Sequence, residues 1–537
     1  MLYNNFYVTF AQIKIVHTKN IRKKKGGNTM KKRKIALACC AGLAVMLAGC
    51  ASTDDVAESG GYKRVEQVLY PTPDDAFVAD VMPIANNGKL ELYYLYETTH
   101  NIQAYHPIHK FSTENFYKYE DEGLAVPTGI ATEPDVAIGT GSIFKAKDGL
   151  YHCFYTGHND SFAAQGKPKE CILHAVSRDA VTWEKLKDEV LYAPEGYSNN
   201  DFRDPELLWC EEENCYWLLV ATREEANGGI VAKFTSTDLK NWTFKGPLYA
   251  PHKQWMLECP DLFKMGDKYY LFFSWDCVTY YAVGKTMNGP FTAPKDNVLD
   301  GTNFIFYAAK TAEFKGDRYL CGWLGRSAEE GYDTGKYQWA GNMLIHQLVQ
   351  HEDGSLGVKM PESMNEYFKA TKDVEVGAAE GKVDSQNGIF KLSAKKGERA
   401  VVDLGMREPT MLLDCDVTIG DDGIAGFAFG NPNKSFKGYY ALALDAKRNC
   451  IHYEGYKLGG FENVASSEPI ALTKFNFKPG TKHHVTVVVE NEIVILYIDD
   501  AKVLSSRIYN STNGAHMALF ASEADAVFEN VSVKVPQ

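Results

Sequence analysis

The feature that most constrains the fold is a recurring apolar, aromatic strand that follows a tight turn. Five such segments occur at irregular intervals of roughly 50 to 65 residues, as expected of structural repeats with loop insertions. Most follow a turn built from Gly, Asn or Asp, such as Asn87-Gly88 or Gly266-Asp267, which is typical of β-hairpins. The five segments are residues 89–96, 150–156, 215–221, 268–274 and 318–323.

At least the first three of these hairpins continue into a second, more polar strand with a Ser-x-Asp-x-x-x-Trp-like core. These stretches are residues 110–116, 175–183 and 234–242, and we interpret the core as a turn that carries an aromatic plug between repeats. Five four-stranded repeats between about residues 65 and 362 predict a five-bladed β-propeller, whose innermost strands converge on a central channel. The alternative, an array of β-sandwich repeats, does not require the repeated order of elements.

The pattern changes after residue 370. Residues 485–489 and 493–498 form a strong hairpin signal, and further short strands recur at about ten-residue spacing without a helical period. This pattern predicts an all-β chain in which an antiparallel β-sandwich over residues 371–537 follows a propeller over residues 65–370. Further strands are predicted at residues 411–418, 423–429, 439–444, 517–521 and 526–535.

Three acidic residues each lie in a short proline-containing motif at the start of a repeat. Proline restricts the local backbone and cannot donate to a strand ladder, so an acid beside it is exposed at a strand edge. Cleavage of a glycosidic bond needs a small set of carboxylates, held on rigid elements in different protonation states. The motifs are Asp80-Val81-Met82-Pro83, Arg203-Asp204-Pro205 and Glu258-Cys259-Pro260.

These motifs and several others resemble those of glycoside hydrolase family 32, the family of invertases, levanases and inulinases, over nearly the whole chain after the leader. The first motif departs from the family pattern, because the chain has Ala79-Asp80-Val81-Met82-Pro83 where members commonly have Trp-Met-Asn-Asp-Pro-Asn-Gly. The matching motifs are Arg203-Asp204-Pro205, Glu258-Cys259-Pro260-Asp261-Leu262-Phe263, Thr140-Gly141-Ser142, Phe154-Tyr155-Thr156-Gly157, Phe306-Tyr307-Ala308 and Gly322-Trp323.

The resemblance implies retaining hydrolysis of β-D-fructofuranosidic bonds in sucrose, fructo-oligosaccharides or fructans. Asp80 is the implied nucleophile, Glu258 the acid/base and Asp204 the residue that binds fructose hydroxyls in the transition state. We expect Arg203 to hold one of these carboxylates by a charge-assisted pair. The further candidates for substrate contact are Ser142, Trp275, Tyr307 and Trp323, although strand aromatics are more often core residues and Ser142 could equally be a turn serine.

Composition limits the partners. A net charge of −12 argues against nucleic acid and fits a neutral saccharide. No His or Cys pattern has metal-ligand spacing, so we expect neither a metal nor another cofactor. Nine of the twelve cysteines lie beyond the leader, several within apolar strands, which favours core thiols over a disulfide framework.

The beginning of the chain resembles a bacterial lipoprotein signal. Lys31-Lys32-Arg33-Lys34 is a basic region, residues 35–47 are apolar, and Leu47-Ala48-Gly49-Cys50 resembles a lipobox. We therefore expect a signal peptide over residues 30–50, lipidation of Cys50, a tether over residues 51–64 and an extracytoplasmic, membrane-anchored protein. Residues 1–29 precede a second methionine and are interpreted as a mis-called upstream extension.

Alternative functions remain open at this point. One is an inverting arabinan- or xylan-cleaving propeller hydrolase of the family 43 type, which also uses three carboxylates. Another is a non-catalytic lipoprotein that binds glycans, although a pure binder has no need of an acid, a nucleophile and a stabiliser together. Transfer of fructosyl to another sugar, the preferred fructan, exo or endo attack and the oligomeric state are not determined by the sequence.

Overall fold

A computed structural model describes residues 67–98, 106–224, 227–252, 254–303, 305–327, 337–420, 422–430, 436, 438–455, 464–466, 468–509 and 515–537. The predicted signal peptide, Cys50, the tether and the upstream extension lie outside these residues. Among the residues described, regular structure is almost entirely antiparallel β-strand, with one short α-helix, α1 (Asp160–Ala163), and one 3₁₀ turn (Glu362–Glu366). Neither of these helices has the length or apolar character needed to cross a membrane.

The first part of the chain forms the five-bladed β-propeller that the repeats predicted. Each recurring aromatic segment is the second strand of a blade, next to the inner strand. Blade 1 contains β1 (Phe77–Asn86), β2 (Lys89–Glu97), β3 (Ile108–Thr113) and β4 (Tyr119–Val126). Blade 2 contains β5 (Ala137–Lys145), β6 (Tyr151–His158), β7 (Glu170–Ser177) and β8 (Trp183–Leu191). Blade 3 contains β9 (Tyr197–Cys210), β10 (Cys215–Glu224), β11 (Gly228–Ser236) and β12 (Thr243–Tyr249).

The last two blades depart from a regular four-stranded ladder. Blade 4 contains β13 (Glu258–Met265), β14 (Lys268–Trp275) and β15 (Val278–Gly284), and its fourth strand is reduced to one bridge between Val283 and Thr292. The expectation of a full fourth strand there was wrong, since Pro290 has no N–H to donate to a ladder. Blade 5 contains β16 (Tyr307–Phe314), β17 (Asp317–Ser327), β18 (Tyr337–Gln350) and β19 (Leu356–Lys359). A pairing of β1 with β18 joins the first blade to the last.

The Ser-x-Asp turns do place an aromatic plug between blades. The hydroxyl of Ser236 accepts the backbone N–H groups of Asp238 and Leu239, which fixes the turn before Trp242. The plug rings of blades 1 to 3 each pack against the second strand of the preceding blade, which couples these neighbouring blades through aromatic contact area. The pairs and their ring-centroid distances are Trp242–Phe154 at 5.5 Å, Trp183–Tyr93 at 5.9 Å and Phe116–Tyr319 at 4.4 Å.

The second part of the chain is the predicted antiparallel β-sandwich. One sheet has the order β22 (Lys382–Gln386), β23 (Ile389–Ser393), β34 (Asp525–Val535), β25 (Thr410–Ile419), β30 (Lys482–Glu490), β31 (Ile493–Ile498) and β32 (Lys502–Arg507), with β20 (Ala370–Lys372) paired to β34. The other has the order β21 (Ala379–Glu380), β24 (Arg399–Met406), β33 (His516–Ser522), β26 (Ile424–Gly430), β27 (Tyr440–Asp445), β28 (Cys450–Glu454) and β29 (Ala471–Lys474). The boundary at residue 370 stays a prediction.

Buried polar contacts join the sandwich to the propeller. Glu490 accepts the backbone N–H groups of residues 68–70, and Arg507 donates to the carbonyl oxygens of Leu324 and Gly325 in blade 5. Such contacts satisfy groups that would be costly to bury without partners. The expected core thiols are confirmed, because all nine described cysteines are free and only Cys277 is not buried.

Candidate active site

The inner strand of every blade carries a β-bulge near the same end of the propeller. A bulge adds a residue to one strand of a pair, interrupts the ladder and redirects a side chain. In this protein the bulges fall within the motifs that the sequence singled out, so the irregular backbone and the functional residue types coincide. The shifts lie between Ala79 and Met82, between Gly139 and Gly141, between Arg203 and Glu206, between Glu258 and Asp261 and between Tyr307 and Lys310.

Four of the five bulges contain a non-glycine residue in the left-handed region. Asp80 has φ 37° and Asp204 has φ 59°, while Cys259 and Ala308 have φ 51° and 53°. Aspartate tolerates this conformation better than most residues, whereas Ala and Cys adopt it at a cost. Backbone strain of this kind collects at functional sites, where the surrounding structure enforces it.

Asp80 lies at the bulge of β1 and is almost fully buried. The hydroxyl of Thr140 donates to its Oδ2, and Trp323 Nε1 donates to its Oδ1 at 3.0 Å. Burial raises the pKa of Asp80, and these two hydrogen bonds oppose the rise. The carboxylate therefore has the donors that an ionised nucleophile needs, and Trp323 contacts it directly rather than packing only as core.

Asp204 lies in blade 3, at the bulge of β9, and has hydrogen bonds on both its carboxylate and its backbone. Its Oδ2 accepts the backbone N–H of Cys259 at 3.1 Å, and its own N–H donates to Thr156 Oγ1 at 2.8 Å. Burial raises the pKa of Asp204 to about 7; the charge of Arg203 opposes the rise, and the charges of Glu258 and Asp80 add to it. The three carboxylates are thus close enough to repel one another.

Glu258 begins β13 and has donors on both carboxylate oxygens. Arg203 donates to Oε1 from Nη2 at 2.9 Å and from Nε at 3.3 Å, and the Tyr307 hydroxyl donates to Oε2 at 2.6 Å. The side chain is 24% exposed, in contrast to the buried Asp80 and Asp204. An acid/base that must exchange a proton with water needs this access. The pairing of Arg203 with one of the carboxylates is the one that the sequence predicted. The bond from Tyr307 to Glu258 was not predicted, and the role of Tyr307 as a substrate contact stays a prediction.

Sequence reasoning missed one buried carboxylate that completes this arrangement. Glu170 begins β7 and accepts from Arg203 Nη1 on both oxygens, at 3.2 and 3.1 Å. Burial opposes its ionisation, but the charge of Arg203 and bonds from His158 and the Phe202 N–H lower the pKa of Glu170 to about 2. Glu170 lies in no motif, so only its position in space identifies it.

Two further residues that the sequence missed lie within motifs it had noted. Thr140 belongs to Thr140-Gly141-Ser142 and donates to Asp80, while Thr156 donates to the Thr140 carbonyl at 2.8 Å and accepts from Asp204. The adjacent blades are therefore linked through side-chain hydroxyls. The signal was present in the motifs, but a threonine on a strand does not reveal its partner.

Ser142 and Trp275 stand apart from the hydrogen-bonded cluster. The Ser142 hydroxyl is buried and accepts the backbone N–H of Leu207 at 2.8 Å, which makes it a link between blades 2 and 3. Trp275 is partly exposed and follows Ser274, which pairs with Glu258, so it lies at the same end of blade 4 as the acid. Their roles as substrate contacts stay predictions.

The site has the groups for a double displacement and carries a net negative charge. Three mutually repelling carboxylates face one arginine, an arrangement that would stabilise the positive charge of an oxocarbenium-like transition state. Across the described ranges, no group of three or more His, Cys, Asp or Glu side chains has the geometry to hold a metal ion.

Comparison with known proteins agrees with these observations. A family model described as "Glycosyl hydrolases family 32 N-terminal domain" matches residues 72–359, which is more than half of the chain and includes Asp80, Asp204 and Glu258.

Individual relatives show the same relationship. The chain is 26% identical to a sucrose-6-phosphate hydrolase of Escherichia coli over 273 residues, which are 46% of this chain and only 54% of that relative. It is 22% identical to a levanbiose-producing levanase of Bacillus subtilis over 514 residues, covering 87% of this chain and 89% of the relative. Among solved structures, fructan 1-exohydrolase IIa from Cichorium intybus matches with a TM-score of 0.68 at 16% identity, over 88% of this chain and 98% of that one.

Proposed function

Since the chain belongs to glycosyl hydrolase family 32, we propose that it hydrolyses β-D-fructofuranosidic bonds with retention of configuration. The chain is a glycoside hydrolase, and the β-D-fructofuranosidic linkage is the bond that we propose it cleaves. The printed names of its relatives include hydrolases of sucrose 6-phosphate and of levan, so sucrose, fructo-oligosaccharides and fructans are the proposed substrate class.

In this mechanism Asp80 attacks the anomeric carbon of a fructosyl unit while Glu258 protonates the departing oxygen. Water, deprotonated by Glu258, then releases fructose from the covalent intermediate. Asp204 accepts hydrogen bonds from fructose hydroxyls, and Arg203 and Tyr307 hold the carboxylate of Glu258 in place. The observation that carries the proposal is the convergence of Asp80, Asp204 and Glu258 from bulges of three separate blades. Cys259, next to Glu258, donates its N–H to Asp204, and its Sγ lies 3.7 Å from the Thr140 hydroxyl that donates to Asp80.

The test is to incubate the protein with sucrose, inulin and levan and to separate the products by chromatography. We expect free fructose from at least one of them, and a Glu258→Gln variant that is slower by about 10²–10⁴-fold because general acid catalysis is lost. NMR of the first product should show the retained anomer. Absence of fructose from all three substrates would contradict the proposed substrate class, and an inverted product would contradict the mechanism.

We further propose that the protein is an extracytoplasmic lipoprotein anchored through Cys50. Support comes from the basic Lys31-Lys32-Arg33-Lys34 cluster, the apolar residues 35–47 and the lipobox-like Leu47-Ala48-Gly49-Cys50. Metabolic labelling with a fatty acid should mark the wild type and not a Cys50→Ser variant. Equal labelling of both would contradict the anchor.

A further inference from the structure

An exposed tryptophan precedes the acid/base in sequence. Trp255 is 49% exposed and lies three residues before Glu258, in the segment that enters β13. Within the described residues, only Trp255 and Tyr192, which is 47% exposed, are large exposed aromatics. Trp255 therefore presents an apolar aromatic surface to solvent close in sequence to Glu258.

Trp255 is held in place despite its exposure. The guanidinium of Arg223 lies 3.9 Å from the ring centroid, in cation–π contact with one face. Arg223 is itself fixed, because its Nε donates to Asp201 Oδ2 at 2.8 Å. The backbone of the segment is also anchored, since the Gly229 N–H donates to the Gln254 carbonyl at 2.8 Å. A rigid ring loses little entropy when a ligand stacks on it.

A continuous series of charged side chains connects this ring to the acid/base. Arg223 pairs with Asp201, Asp201 Oδ1 lies 3.5 Å from Arg203 Nη1, and Arg203 donates to Glu258 at 2.9 Å. Glu258 is the group that protonates the departing oxygen, so the leaving part of the substrate lies on this side of the site. The intervening charged groups separate Trp255 from the cleaved bond and provide donors and acceptors for sugar hydroxyls.

We propose that Trp255 is a stacking platform for the leaving part of an oligosaccharide or polysaccharide, beyond the sugar that is bonded to the cleaved oxygen. The inference rests on the proposed fructosidase function and narrows its substrates to chains longer than a disaccharide. An indole ring offers a broad apolar face to the C–H face of a sugar, while Arg223 and Asp201 bind polar groups at its margin.

The test compares kcat/KM for sucrose with kcat/KM for inulin-type and levan-type oligosaccharides of increasing length. We expect Trp255→Ala to lower kcat/KM for the long substrates by about tenfold, the typical contribution of an aromatic contact. The same substitution should change kcat/KM for sucrose by less than about twofold. Trp255→Phe should retain part of the advantage on long chains. Tyr192→Ala is the matched control, because it removes an equally exposed aromatic that lies outside the Arg223–Asp201–Arg203 series.

Three outcomes would overturn the proposal: Trp255→Ala lowers kcat/KM for sucrose and for long chains by the same factor, it leaves both unchanged, or Tyr192→Ala reproduces its effect. Melting temperatures of the variants should match that of the wild type, because the ring is half exposed. Failure of the proposed function is distinguishable, since the wild type would then release no fructose from any substrate.

Discussion

Two layers of charged side chains lie within the propeller and differ in how their charge is balanced. In the site layer, Arg203 pairs with Glu258 and Glu170 and its charge acts on Asp204, while Asp80 is held by Thr140 and Trp323. In the inner layer, two carboxylates lie two and three residues after Asp204 and Glu258 on β9 and β13, and they face one cation on β16 and one on β17. The members of the inner layer are Glu206, Asp261, Lys310 and Arg318.

The inner layer is built as a buried structural ion cluster. Lys310 Nζ donates to Glu206 Oε2 at 2.7 Å, and Thr311 Oγ1 donates to Asp261 Oδ2 at 2.7 Å while accepting from Arg318. Its charges are compensated, as buried charges normally are. The site layer has more negative than positive charge, and its Glu258 is partly exposed to solvent. Uncompensated charge, rather than buried charge as such, therefore marks the site, because a positive transition state can supply the missing compensation.

The largest expected effect comes from removing Asp80, the proposed nucleophile of the site layer. Asp80→Asn should lower kcat by about 10⁴-fold or more, since no other group can form the covalent intermediate. The fold should persist, because the amide oxygen of Asn can still accept from Trp323 Nε1, and the Thr140 hydroxyl can rotate to accept from the amide NH2. Steady-state kinetics and circular dichroism measure the two effects. A variant that keeps more than a tenth of the wild-type kcat would show that the attacking group lies elsewhere.

Substitutions in the inner layer should lower the stability of the fold rather than impair the chemical step. Lys310→Met leaves Glu206 buried without its paired cation and should cost about 3–5 kcal/mol in the free energy of unfolding. Burial raises the pKa of Glu206 to about 7, so the loss should be smaller at pH 5, where Glu206 is protonated. Urea titration of Lys310→Met and of its double variant with Glu206→Gln tests this. A double variant no more stable than the single one would contradict the pairing.

Substitution of Asp204, in contrast, should raise the stability of the fold rather than lower it. Its pKa in the folded state is about 7, above that of an unfolded aspartate, so its contribution to stability is lost as the pH rises from about 4 to 7. Asp204→Asn removes this penalty and should stabilise the protein at pH 8 by on the order of 1–4 kcal/mol, with no gain below pH 4. Activity should fall. Thermal unfolding across this pH range is the measurement, and a variant less stable at pH 8 would contradict the account.

The smallest effect is expected at the donor to Asp80. Trp323→Phe removes the hydrogen bond from Nε1, which favours the ionised carboxylate, so the pKa of Asp80 should rise further. The acidic limb of the kcat/KM profile should then move to higher pH, and activity near pH 5 should fall by roughly threefold to tenfold. Thr140→Ser keeps a hydroxyl donor and serves as the control. An unshifted limb would show that Trp323 acts only through packing.

The sequence predicted the elements and residues whose signals are local. Short sequence patterns predict the five aromatic strands and the sandwich strands. They also identify Asp204 and Glu258. Glu170 and Lys310 do not, because their partners Arg203 and Glu206 are 33 and 104 residues away in the chain. The missing fourth strand of blade 4 was not foreseen, although Pro290 was a local warning.

The most direct test of the account is to trap the covalent intermediate. A fructoside with an activated leaving group needs no protonation, so Glu258→Gln should form the fructosyl-enzyme but hydrolyse it slowly. Proteolysis and mass spectrometry should then find one fructosyl unit on the peptide that contains Asp80, and none in Asp80→Asn. An adduct on another residue, or turnover without any adduct, would contradict the central claim.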